Sequence, residues 1–299
     1  MFVIKYRKIF YAVSMLLVVA SFVSLFVWGL KLGIDFNGGA IIDISYADGQ
    51  RPDAGVISAG LVSIDPAASV RASGANTLIV RMKDLDQEQK AEVMKVLSSN
   101  GSASTTINSF DSVGPVLGSE ALSKARVSII LVILGIVLFI TFAFRKVSEP
   151  VSSWKYGLTA IIALVHDVII PAGVFSILGH FAGYEVDTLF VTALLVVLGF
   201  SVHDTIVVFD RVRENLRTNS SGKNFDVVVG QSISQTFVRS INTSLTTLLA
   251  LVVLYILGGS TTAHFTLVLI IGIAVGTYSS IFIGSPLLVT LEKWQSRKK

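Results

Sequence analysis

The stretch TLFVTALLVVLGFSVHDTIVVF, from Thr188 to Phe209, decides the fold. About 20 apolar residues carry a helix across roughly 30 Å of hydrocarbon, and this stretch is long enough to do so. Its second half holds a carboxylate, Asp204. An ionisable side chain at such depth costs roughly 2.5–3.5 kcal/mol on insertion scales, so it is expected to face a bundle interior with a partner or a task. Five further segments qualify as spans, near residues 9–30, 125–144, 157–178, 241–257 and 264–289. A mean hydropathy of +0.73 agrees, as do 52% hydrophobic and 15% charged residues, a balance far from that of a soluble domain.

Short cytoplasmic connections collect Lys and Arg, and this sets an expected orientation. Lys5, Arg7 and Lys8 precede the first span; Arg145, Lys146 and Lys155 fall between the second and third. Arg211, Arg213, Arg217, Lys223 and Arg239 fall between the fourth and fifth, and Lys293, Arg297, Lys298 and Lys299 close the chain. The other two connections, Gly179 to Asp187 and Gly258 to Ala263, contain neither residue. Both termini are therefore expected in the cytoplasm, with the first span as an uncleaved anchor. The net charge of +4 is accounted for by this bias, so no nucleic-acid partner is implied. Absence of cysteine excludes disulfides, thiolate metal sites and cysteine nucleophiles. No G-x-x-x-x-G-K-[ST] motif is present, so no nucleotide site is visible, and no cofactor or metal is expected.

The domain boundaries that follow are 1–30 for the N-terminus and first span, 31–123 for an exported domain, 124–291 for a five-helix bundle and 292–299 for a basic tail. In the exported domain, Ala40–Tyr46 predicts a strand, Arg51–Leu61 a helix, Ser69–Ser73 and Thr77–Met82 strands joined at Gly74, and Gln87–Leu97 an amphipathic helix opened by Asp84 or Asp86. A last strand is expected over Ser104–Phe110. The order β-α-β-β-α-β is the ferredoxin-like α+β arrangement. Asp35, Asp43, Asp48 and Asp53 are dispersed and the segment holds no histidine, so a docking domain is expected rather than a catalytic one.

Helical spacing places Asp204 on one face with Ser201, Val208 and Arg211. In the next span Arg239, Asn242, Thr243, Thr246 and Thr247 form a polar stripe, expected to face the fourth span because lipid would tolerate it poorly. An approaching Arg239 would favour the carboxylate of Asp204, and a receding one would leave desolvation to favour the acid, so one movement could load and unload a proton. Asp167, preceded by His166 as Asp204 is by His203, is a second candidate; near Pro171 it could instead serve backbone groups that the proline frees. Gly272, Gly276, Ser280 and Gly284 recur every four residues as a packing seam. Asp210, Arg213, Glu214 and Arg217 suit pairing at a helix end. Val227–Phe237 is expected as a short helix on the cytoplasmic surface.

Two glycine-rich stretches flank the exported domain: GIDFNGG, with Gly33, Asp35, Gly38 and Gly39, and VGPVLGSEAL, with Gly114, Pro115 and Gly118. With SVHDTIVVFDRVREN, which ends in Asp210, Arg211, Arg213, Glu214 and Asn215, and with TFVRSINTSLTTL, they resemble the SecF side of the SecD/SecF family of preprotein-translocase accessory proteins, within the resistance-nodulation-division superfamily. The resemblance covers essentially the whole chain; His203 departs from it, standing where many relatives have Asn. It implies an inner-membrane subunit that works with SecD beside the SecYEG channel, uses the proton-motive force to help exported polypeptides leave, and catalyses no reaction. It also implies that Asp204 and Arg239 are the proton-linked charges. The alternatives are a proton-coupled exporter half-unit for small molecules or lipids, a passive scaffold, and an intramembrane aspartyl protease using Asp167 with Asp204.

Overall fold

The computed structural model describes residues 2–99, 103–143, 153–218 and 224–296. Arg145, Lys146, Lys223, Arg297, Lys298 and Lys299, counted above as cytoplasmic charges, lie outside the described residues. In chain order the elements are α1 (Phe2–Lys5), α2 (Arg7–Val27), α3 (Ile34–Asn37), β1 (Gly39–Tyr46), α4 (Ala54–Leu61), β2 (Ser69–Ser73), β3 (Thr77–Met82), α5 (Gln87–Leu97) and β4 (Thr105–Val113). They continue with α6 (Pro115–Ala143), α7 (Ser153–Ala182), α8 (Thr188–Thr218), α9 (Phe225–Leu257), α10 (Ser260–Ser279) and α11 (Ser285–Ser296), the last two joined by a π-helical turn, Ser280–Gly284. Among the described residues 6 helices are long and apolar enough to cross a membrane, α10 and α11 counting as one. The chain forms two compact units, Met1–Lys31 with Val127–Lys299, and Leu32–Arg126.

In the membrane unit α8 is central, burying Phe190, Ala193, Leu194, Val197, Leu198, Ser201, Val208 and Phe209 along a three- and four-residue repeat. Around it Leu164, Ile233, Ile281 and Leu288 close one core. Close approach rests on small residues. A Cβ at Gly173 of α7 would lie 2.3 Å from Ser21 Cβ of α2, and Ser24 Oγ donates to Gly173 O at 3.0 Å. The expected surface helix at Val227–Phe237 is instead the first part of α9, continuous with the fifth span, because Val228, Val229 and Ile233 are buried in the core rather than laid on a surface. The polar loop before it, residues 219–223, lies outside the described residues.

The Leu32–Arg126 unit has a four-stranded sheet in the order β2-β3-β1-β4. All three pairings are antiparallel, with Ile42 opposite both Val80 and Phe110 and a register shift at Asp43/Ile44. Strand period sends Ala40, Ile42, Ile44 and Tyr46 to one face, where Leu78, Val80, Ile57, Leu61, Val93 and Leu97 complete a second core. The split β-α-β connections expected from the sequence are thus present. α4 begins at Ala54 and not at Arg51, because Arg51 precedes Pro52 and Asp53 Oδ1 accepts from Gly55 N at 2.7 Å as the cap. α5 is opened by Asp86, in a capping box with Gln89.

The two glycine-rich stretches meet in this unit. Gly38 has φ +74, and a Cβ there would lie 2.8 Å from Pro115 Cα; a Cβ on Gly118 would lie 2.9 Å from Phe36 O. Gly33 precedes α3, in which Asp35 stands, and Gly39 has φ +131 with Met82 O at 2.8 Å from its would-be Cβ. Gly114 sits beside Asp84, whose Oδ1 accepts from Ser112 Oγ at 2.6 Å.

Candidate functional site

Asp204 is 8% exposed. Its Oδ1 accepts a hydrogen bond from Ser240 Oγ of α9 at 2.5 Å. Its Oδ2 has no hydrogen-bond partner among the described residues. A carboxyl in apolar surroundings with one oxygen unserved is an expensive arrangement to retain for packing alone.

Arg239 does not contact it. Its side chain is exposed on α9, and among the described residues the two form no ion pair. The polar stripe expected to face α8 is likewise turned outward, with Arg239, Asn242, Thr243 and Thr246 exposed. Thr246 Oγ1 donates to Asn242 O at 3.0 Å and Thr247 Oγ1 to Thr243 O at 3.0 Å, so these hydroxyls are satisfied by their own helix. The face in contact is Thr236, Ser240 and Ser244, also spaced by four, whose small side chains let α9 approach. Ser244 shares a hydrogen bond with Thr277 of α10 at 2.6 Å.

Asp167 is fully buried and joins three helices. Oδ1 lies 2.8 Å from His166 Nδ1, while Oδ2 accepts from Ser201 Oγ of α8 at 2.5 Å and from Ser279 Oγ of α10 at 2.8 Å. Its side chain therefore serves other helices, not the backbone groups near Pro171. Ser201 lies three residues before Asp204 on α8, so the two carboxyls flank one stretch of that helix. The repeated His-Asp dipeptide is used differently at its two occurrences: His166 engages its aspartate, whereas His203 is exposed.

The small-residue seam runs along this site. A Cβ at Gly272 would lie 2.3 Å from Val197 Cγ2, one at Gly276 3.0 Å from Ser201 Cβ, and one at Gly284 3.8 Å from Thr205 Cγ2. Ser280 Oγ pairs with Thr205 Oγ1 at 2.8 Å and donates to Ser201 O at 3.2 Å. The π turn begins at Ser280, and such turns inside helices are frequent at functional sites. Toward the end of α8, Asp210 pairs with Arg213, and Arg211 pairs with Glu214 at 2.5 Å while its Nε donates to Gln235 Oε1 at 2.7 Å. Asn215 Nδ2 donates to Ser232 Oγ and Gln235 Oε1, both at 2.8 Å, clamping α8 to α9. No metal-binding group of carboxylates and histidines occurs among the described residues.

Ser240, Ser279, Ser232 and Gln235 were not singled out from the sequence. The four-residue recurrence of Ser232, Thr236, Ser240 and Ser244 was the available signal. The longer polar side chains of the adjacent face obscured it.

Residues 92–294 match the family described as "Protein export membrane protein SecD/SecF, C-terminal". The chain is 43% identical to the protein translocase subunit SecF of Thermobaculum terrenum, covering 97% of this chain and 93% of that one. It is 38% identical to the SecF of Anaerolinea thermophila, over 97% and 94%. The crystal structure of SecDF, a translocon-associated membrane protein from Thermus thermophilus, superposes with a TM-score of 0.83 at 30% identity, covering 98% of this chain and 38% of that one. A second structure, SecDF in a super-membrane-facing form, gives 0.70. The chain thus spans well under half of the SecDF polypeptide and nearly all of the SecF relatives, and with a matching family region that takes in α6 to α11 it belongs to the SecD/SecF family of protein export membrane proteins.

Proposed function

We propose that the protein is a SecF-type translocase subunit that, together with a SecD partner, uses the proton-motive force to assist late steps of protein export through the SecYEG channel. The observation that carries the reading is Asp204: a carboxyl 8% exposed inside a spanning helix, held by Ser240, with its second oxygen unpartnered among the described residues. That oxygen is free to take a proton. Moving one charge across 100 mV is worth about 2.3 kcal/mol, enough to bias two helix arrangements appreciably.

Arg239 is the counter-charge in this reading, brought to Asp204 in one state and withdrawn in the other. The second state corresponds to its present exposure on α9. The outward stripe Arg239, Asn242, Thr243 and Thr246 supports an obligate partner, since polar groups within a spanning helix are better placed against another helix than against lipid. A SecD chain there would complete a machine of which this chain matches 38%. Asp167, bonded by Ser201 and Ser279, positions α8 and is a second proton acceptor in reserve. The chain resides in the bacterial inner membrane with both termini cytoplasmic, and the exported unit meets SecD or the emerging polypeptide. It performs no chemistry on its substrate.

The test is protein export in cells and inverted vesicles carrying Asp204→Asn, with assembly on SecD verified by co-purification. Export falling to the level seen with an ionophore, while assembly is normal, is the expected result. Unchanged export would return Asp204 to a packing role.

A further inference from the structure

The sixth span runs as α10 and α11 with the π turn Ser280–Gly284 between them, and the cause of that turn lies just beyond it. Pro286 has no N–H, and in an unbroken α-helix its ring would run into the carbonyl of Phe282, four residues back. Widening the preceding turn takes that carbonyl out of the way, and Ser285 Oγ donates to Ser280 O at 3.2 Å across the widened loop. A π turn holds one residue more than the same turn of α-helix. That residue cannot vanish unless one half of the span rotates against the other, but it can move along the helix.

Two hydroxyls stand at the N-terminal edge of the turn. Ser279 Oγ donates to Asp167 Oδ2 at 2.8 Å, and Ser280 Oγ pairs with Thr205 Oγ1 at 2.8 Å. If the extra residue moves one turn toward the start of α10, each residue from 280 to 283 takes the place of the one before it, while the helices on either side stay where they are. Ser280 then stands in the place of Ser279 and keeps a hydroxyl on Asp167. Ile281 stands in the place of Ser280, so Thr205, the neighbour of Asp204 in α8, exchanges a hydroxyl partner for an apolar one. The turn that widens holds Gly276, where no side chain stands between the backbone and Ser201. Against the move stands Phe282, whose ring lies 4.5 Å from that of Phe10 of α2 and would yield its place to Ile283. Phe282 and Pro286 together make the register with Ser280 on Thr205 the preferred one.

We propose that the π turn is a register switch, whose slip by one turn trades the Ser280–Thr205 pair for an Ile281–Thr205 contact beside Asp204. Its effect on Asp204 rests on the proton reading above; the two registers themselves do not.

The chain has no cysteine, so disulfide bridges can be placed in it. Thr205→Cys with Ser280→Cys reports the preferred register and Thr205→Cys with Ile281→Cys the slipped one, since a bridge needs Cβ atoms about 3.5–4.5 Å apart. Both pairs are oxidised with iodine in inverted vesicles that carry the full chain assembled with its partner subunit. With Pro286 in place the first bridge is expected to form about tenfold faster, as befits a slipped state populated at roughly 10% or less. Pro286→Ala removes the clash that holds the turn in place and should raise the second bridge relative to the first about tenfold. Either bridge should stop export, and a reductant should restore it. The ratio of the two bridges needs no activity, so it can be read even where a cysteine pair impairs export. A bridge at Ile281 that forms in neither background, a ratio that Pro286→Ala leaves unchanged, or export that continues with the Ser280 bridge closed overturns the proposal. Unchanged export in Asp204→Asn would sink the proton reading alone and leave these results standing.

Discussion

Replacing Ser240 by alanine removes the one hydrogen bond that Asp204 receives among the described residues. A bond to an ionised group is worth about 1.5–3 kcal/mol and one between neutral groups about 0.5–1.5 kcal/mol. Inside bilayers, interhelical bonds average about 0.6 kcal/mol and reach about 1.7 kcal/mol, because the unfolded chain finds partners too. For a carboxyl 8% exposed whose other oxygen is already unserved, the upper end applies. The expected coupling of Ser240 to Asp204 is therefore about 1.5 kcal/mol, roughly tenfold in the unfolding equilibrium. A double-mutant cycle of Ser240→Ala and Asp204→Leu on the purified chain, unfolded in mixed micelles, reads it directly. Ser240→Ala should be costly in the native background and nearly silent beside Asp204→Leu, while Ser240→Thr, which keeps the donor, should be mild in both. Equal cost of Ser240→Ala in the two backgrounds would refute the assigned contact.

Gly272→Ala places a methyl group 2.3 Å from Val197 Cγ2; it should destabilise α8–α10 packing by about 1–3 kcal/mol, and Val197→Ala should rescue it in the same micelle assay rather than add its own cost. Asn215→Ala strips the donor from Ser232 and Gln235, so hydrogen exchange in the first turns of α9 should accelerate about tenfold with α10 unaffected. In the Leu32–Arg126 unit, burial pushes the Tyr46 phenol above its ordinary value of 10.0, and its hydroxyl donates to Leu97 O at 2.9 Å. The neutral phenol is thus the form the fold favours, and the stability it contributes is full below pH 10 and lost as pH rises through the folded value. Tyr46→Phe should cost about 1 kcal/mol near neutrality, and the difference from native, followed by exchange of β1 amides, should shrink above that pH.

The spans and the small βαββαβ unit were legible because each is written in a single period. Runs of apolar residues marked the helices, alternation marked β1 and β3, and the start of α5 was narrowed to Asp84 or Asp86, between which the capping box of Asp86 with Gln89 decides. Which face of α9 meets α8 was not legible. Its two candidate stripes differ by one residue in register, and the one rich in Arg239, Asn242 and Thr243 looked the more polar, whereas close helix approach selects the smaller Thr236, Ser240 and Ser244. For the same reason Asp204 was found from its depth, but its partner was missed. Asp167 looked secondary from the sequence, since a fourfold convergence of His166, Ser201, Ser279 and a carboxyl from three helices leaves no spacing to read. The length of α9 was hidden because Val228, Val229 and Ile233 are interleaved with Gly230, Gln231 and Ser232, which lowers mean hydropathy without exposing the helix.

The meeting of Gly38 with Pro115 and of Gly118 with Phe36 bears on biogenesis. Loop closure is the entropic hurdle for any inserted domain, and here it is cleared by contacts made within the insertion itself, using nothing beyond the first turn of α6. The sheet can then finish folding while the ribosome is still making α7 to α11. A nascent chain halted after α6 would already display a protease-resistant Leu32–Arg126 domain, and substituting a bulky residue at Gly118 would delay that resistance without altering insertion of the spans.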